Sequence, residues 1–123
     1  MEAIADPRPR LPRVTDDLAP PALLDLTIDA GPTTVIALSG ELDPATAPTL
    51  EKAVAGLVAD ESVSHVVLDL SAVSFLDSSG LRALVSSRDQ LAARGATMAL
   101  RRPTANTRRV LDITGLSDAI DVE

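Results

Sequence analysis

Between Val66 and Leu81 the chain reads VVLDLSAVSFLDSSGL. His65 to Leu70 is a short apolar run without alternation, the pattern of a central strand covered on both faces. Val73 and Phe75 lead on to Asp77-Ser78-Ser79-Gly80. Leu81, Leu84, Val85, Leu91 and Ala92 then recur at helical spacing. Arg94-Gly95 supplies a helix stop, with a cation in the last turn and glycine just beyond it. A buried strand feeding a helix in this way is half of a strand–helix–strand unit, the building block of α/β domains.

The flanking segments extend the same pattern. Upstream, Leu24, Leu26 and Ile28 alternate with Asp25, Thr27 and Asp29, as a half-buried strand requires. Ala30-Gly31-Pro32 is a turn signal, and Thr33 to Ser39 is a second β-branched run, so the two form an antiparallel hairpin. Asp43 reads as an N-cap with Pro44 at the first helical position. Leu50, Ala53, Val54, Leu57 and Val58 mark the buried face of that helix, which ends in the polar Asp60-Glu61 loop. Downstream, Ala96 to Leu100 is a strand. Pro103 opens a helix carrying Val110, Leu111 and Ile113 and closing at Gly115, and Asp118 to Val122 is a last short strand. The predicted order is β-β-α-β-α-β-α-β in one small α/β domain. Its sheet is mixed and mostly parallel, with the first strand as the antiparallel member and helices packed on it.

The domain spans residues 22–123. Residues 1–21 hold five of the nine prolines and seven mixed charges, and read as an extended, proline-rich flexible arm. At 123 residues the chain has room for one domain. It contains no cysteine and a single histidine, His65, which excludes disulfides, thiolate chemistry and multi-histidine metal sites. Phe75 is the only aromatic residue, so the core is built from Leu, Val, Ile and Ala. A net charge of −7 argues against direct nucleic-acid binding. No apolar stretch is long enough to insert in a membrane, and the N-terminus lacks the pattern of a secretory signal, so a cytoplasmic location is expected. No phosphate-binding glycine loop is present, and no cofactor is expected. Charge is divided: residues 22–77 hold nine acids against Lys52, whereas residues 78–123 hold seven arginines against five acids. Either these are solvated helix faces, or an acidic and a basic surface orient a charged partner. Arg101-Arg102 and Arg108-Arg109 read as solvated arginines, since no aromatics interleave them.

Two readings of Asp77-Ser78-Ser79-Gly80 stand side by side. In one, Asp77 or Ser78 caps the helix and Gly80 permits close approach of another segment. In the other, a serine hydroxyl is presented where free backbone N–H groups converge, and a phosphate added there would be stabilised by them. Such a group brings close to two negative charges and three acceptor oxygens, the chemistry of an on/off binding switch.

Three separated motifs resemble the STAS domain family, and within it the anti-sigma factor antagonists. They are Gly40-Glu41-Leu42-Asp43 with Thr46-Ala47 and Thr49-Leu50; Leu68-Asp69-Leu70 through Val73 and Phe75 to Asp77-Ser78-Ser79-Gly80-Leu81; and Arg109-Val110-Leu111 to Thr114-Gly115-Leu116. The resemblance covers the chain from Ala22 onward and leaves out the arm. It implies a small mixed sheet with packed helices, and partner switching in transcription regulation of the kind used in stress responses. An unphosphorylated antagonist binds an anti-sigma factor, itself often a serine-protein kinase, and frees a sigma factor. The kinase phosphorylates the serine after the motif aspartate, which ends binding, and a serine phosphatase restores it. Carried onto this chain, the phosphorylated residue is Ser78. Asp43 helps dock the partner, and Asp77, Ser79, Gly80 and Leu81 complete the contact surface.

The same resemblance allows another role, as a STAS accessory subunit of a lipid-transport or stress-signalling complex. Ser78 favours the antagonist. A serine hydrolase is disfavoured: there is no Gly-x-Ser-x-Gly elbow, and His65 begins the strand beyond whose far end Ser78 lies.

Overall fold

The computed structural model describes residues 24–123, so the arm assigned to residues 1–21 lies outside the described residues. The alternating run forms β1 (Leu24–Asp29), and the β-branched run forms β2 (Thr33–Leu42). They pair antiparallel, with Leu26 opposite Leu38 and Ile28 opposite Ile36, so the apolar residues of both strands share one face. Next come α1 (Ala47–Val58), β3 (His65–Leu76), α2 (Ser78–Ala92), β4 (Thr97–Arg101), α3 (Ala105–Thr114), α4 (Leu116–Ala119) and β5 (Asp121–Val122). The strands lie in chain order, β1 to β5, and every pairing after the hairpin is parallel. This is the mixed, mostly parallel sheet that the sequence predicts.

A sheet that grows in one direction through right-handed crossovers carries its connecting helices on one face. The core agrees: Ile36, Leu38, Val66, Leu68 and Leu70 from the sheet join Leu50, Val54, Leu84, Leu91 and Leu111 from α1, α2 and α3. Alternation along β3 turns Val67 and Asp69 to the other face. There the buried Asp69 carboxylate is paired with Arg102, a pairing that no sequence signal marks. Burial pushes the Asp69 carboxyl up, but hydrogen bonds from the backbone and hydroxyl of Ser71, and then Arg102, outweigh it and hold the pKa below the ordinary aspartate value. Arg102 sits at φ 50°, in the left-handed region, and its N–H donates to the Glu123 carbonyl at 3.2 Å. The end of β4 is thereby tied to the end of the described chain.

Several boundaries differ from expectation. The helix assigned to start at Pro44 starts at Ala47, with Thr46 as N-cap and a proline (Pro48) in its first turn. Asp43 closes the preceding turn instead: its Oδ1 accepts from the N–H groups of Ala45 at 2.9 Å and Thr46 at 3.1 Å. Pro103 precedes α3 rather than opening it, because Thr104 is extended and its hydroxyl accepts from the Thr107 N–H at 3.3 Å. β3 continues six residues past Leu70, and part of the expected last strand is the helical turn α4. Ile113, one of the three apolar residues that the sequence places on α3, is 76% exposed. It lies two residues, about 200° around the helix, from the buried Leu111.

Candidate functional site

β2 and β3 end level with each other, Leu42 beside Leu76. Asp43 and Asp77 are the next residues of their chains, so the topology sets two carboxylates at the same edge of the sheet. The Asp77 N–H donates to the Leu42 carbonyl at 3.3 Å and joins the two chain exits. Beneath Asp43, the buried Thr46 hydroxyl donates to the Glu41 carbonyl at 2.7 Å and accepts the Asp43 N–H at 2.9 Å. Both aspartates are half-buried and held by their own turns.

Asp77 is the N-cap of α2. It is extended, with φ −112° and ψ −170°, and its Oδ1 accepts from the N–H groups of Ser79 at 2.9 Å and Gly80 at 3.0 Å. Its carbonyl takes the Leu81 N–H at 2.9 Å. The sequence leaves open whether Asp77 or Ser78 caps this helix; the structure assigns the cap to Asp77. It also narrows the expectation that free N–H groups converge on Ser78, since the Asp77 carboxylate takes two of them and only the Ser78 N–H of the first turn has no partner among the described residues. Ser78 is left exposed as the first helical residue, and its hydroxyl makes no hydrogen bond among the described residues.

Ser79 and Leu81 are half-buried, and Leu81 leans on the core. Gly80 differs from the other residues expected at the contact surface because it is buried. A Cβ built on it would stand 2.7 Å from the Leu42 carbonyl oxygen and 2.5 Å from a Leu76 methyl. Its lack of a side chain lets α2 approach the end of β2, and its burial leaves it little surface to offer a partner.

Ser78 opens onto a shallow groove of about 350 Å³, lined also by Leu81, Arg82 and Val85 of α2, Thr114 of α3 and Leu116 of α4. Sequence reasoning gives Arg82, Val85, Thr114 and Leu116 no part in the site. The signal available is Gly115, which takes φ 78°, ends α3 and starts α4, and so turns its two neighbours toward α2.

His65 begins β3 and is hydrogen-bonded through Nδ1 to Thr97. A strand of this length separates it from Ser78 by roughly 35 Å, so the two form no nucleophile–base pair. Among the described residues no cluster of three or more His, Asp or Glu side chains could hold a metal. None of the described helices is long and apolar enough to cross a membrane.

Comparison with known proteins finds that residues 25–123 match the STAS domain. The chain is 34% identical over 98 residues to the anti-sigma-F factor antagonist RsfB of Mycobacterium tuberculosis, spanning 80% of this chain and 79% of that protein. It is 32% identical over 85 residues to the anti-sigma-B factor antagonist of Bacillus subtilis, spanning 69% and 76%. Among solved structures, an anti-sigma factor antagonist from Mycobacterium paratuberculosis superposes with a TM-score of 0.71 at 34% identity, covering 80% of this chain and 84% of that one.

Proposed function

The chain belongs to the STAS domain family, and from that premise we propose that it is an anti-sigma factor antagonist switched off by phosphorylation of Ser78. The observation that carries the reading is the state of Ser78: exposed, free of hydrogen bonds among the described residues and set directly after the capping Asp77. Its relatives in Mycobacterium tuberculosis and Bacillus subtilis are named anti-sigma factor antagonists.

In the unphosphorylated state the anti-sigma factor docks in the cytoplasm on the rim made by Asp43, Asp77, Ser78, Ser79 and Leu81, and a sigma factor is released. A serine kinase, the anti-sigma factor itself, transfers the γ-phosphoryl group of ATP to the Ser78 hydroxyl. The product carries a dianion beside the Asp77 carboxylate, on an edge that also holds Asp43. Docking would bury that dianion among like charges, and its desolvation and repulsion end the complex. No refolding is needed, because the hydroxyl makes no hydrogen bond among the described residues. A phosphatase hydrolyses the ester and restores the binding surface. Mass spectrometry after incubation with the cognate kinase and ATP tests the assignment: phosphate is expected on Ser78, and its appearance on Ser79 or Ser74 instead refutes it.

A further inference from the structure

A phosphate on Ser78 enters an unfavourable neighbourhood. Helix starts usually receive anions on their unpaired N–H groups. Here Ser79 and Gly80 give theirs to the Asp77 carboxylate, at 2.9 and 3.0 Å, which leaves the first turn only the Ser78 N–H without a partner among the described residues. The carboxylate that takes those donors is itself a like charge next to the phosphate. Some other group must offset it.

Arg82 has the position to do so. It lies four residues after Ser78 on α2, one turn along the same helix face, and both side chains line the groove between α2, α3 and α4. The walls supplied by α3 and α4, Thr114 and Leu116, carry no charge, and the Thr114 hydroxyl is occupied with the Val110 carbonyl at 2.7 Å. Among the described residues Arg88, Arg101, Arg102 and Arg108 are each paired with a carboxylate, whereas Arg82, Arg94 and Arg109 are not, and of these three only Arg82 lines the groove with Ser78.

We propose that Arg82 holds the phosphate of phosphorylated Ser78, its guanidinium donating to two phosphate oxygens along the α2 wall of the groove and offsetting Asp77. This rests on the reading of Ser78 as the modified residue. It adds a second component to the switch. The unmodified face presents to the partner a neutral hydroxyl and a guanidinium with no carboxylate partner among the described residues, and the phosphorylated face presents neither.

The test uses the full chain with phosphoserine installed at position 78 during synthesis, so that no kinase is required. The second ionisation of the phosphate is followed by ³¹P NMR in the wild type, Arg82→Gln, Arg82→Lys and Arg109→Gln. An Arg82 contact holds the wild-type phosphate ionised to lower pH than in Arg82→Gln, by about 0.5 pH units for this solvent-accessible pair. Arg82→Lys should restore part of the difference, Arg109→Gln should match the wild type, and molar salt should shrink the gap. Identical titrations of the wild type and Arg82→Gln would overturn the proposal. Because the phosphate is installed without an enzyme, this result is separable from a failure of the kinase to modify Ser78, which would defeat the parent reading alone.

Discussion

Gly80 lies so close to Leu42 that a Cβ added to it would stand 2.7 Å from the Leu42 carbonyl oxygen. The same oxygen accepts the Asp77 N–H at 3.3 Å. The end of β2 therefore fixes both the cap and the third residue of α2, and through them the place of the intervening Ser78. The orientation of the proposed switch is set by packing between two chain exits.

That closeness predicts opposite outcomes for two helical glycines. Gly80→Ala gains helix propensity but must displace Leu76 and strain against backbone, and should lose about 1–2 kcal/mol of stability. Gly56→Ala, in α1, meets nothing within 4 Å and should gain about 0.5–1 kcal/mol. Urea unfolding of both variants decides the matter. Equal stabilisation would show that α2 can move off β2 freely.

The two capping candidates separate in the same assay. Asp77→Ala removes the acceptor for two N–H groups and should cost about 1 kcal/mol. Ser78→Ala removes a hydroxyl with no partner among the described residues and should stay within about 0.5 kcal/mol of the wild type. A larger loss for Ser78→Ala would return the capping role to Ser78.

Asp69 gives the fold an acid-sensitive contact. Its carboxyl pKa is lower folded than unfolded, despite the upward push of burial, because Ser71 and Arg102 stabilise the charged form. The contribution is therefore complete above the unfolded value, near pH 4, and is lost as pH falls through the folded value. Asp69→Asn should cost about 1–2 kcal/mol at pH 7, and the difference from the wild type should narrow below about pH 4. A gap that stayed constant down to pH 2 would contradict the ion pair.

Much of the fold is legible in the chain itself. Alternation in Leu24–Ile28, the apolar run at Val66–Leu70 and the cap signal at Asp77-Ser78 are enough for the first strand and the strand-to-helix junction. What is not legible depends on tertiary competition. Asp43 has the chemistry of an N-cap, but the Thr46 hydroxyl bonds back to Glu41 and delays the helix to Ala47. The far half of β3 does not read as a strand because Ser71 and Ser74 interrupt its apolar run, and it continues as one because register shifts after Ala37 and Gly40 accommodate the extra exposed residues. The groove beside Ser78 is assembled from helices distant in sequence, so Gly115 marks a turn between Thr114 and Leu116 without showing that it faces α2. The occupation of the α2 N–H groups by Asp77 is a matter of side-chain geometry, and the residue order by itself allows them to be free.

In the proposed switch, charge at Ser78 and not a change of fold controls partner binding. The direct measurement is the affinity of the cognate anti-sigma factor for wild-type and Ser78→Asp protein, with circular dichroism on both. Overlapping spectra and at least tenfold weaker binding by Ser78→Asp, a loss of about 1.4 kcal/mol, are predicted. Equal affinities of the two proteins would contradict the account.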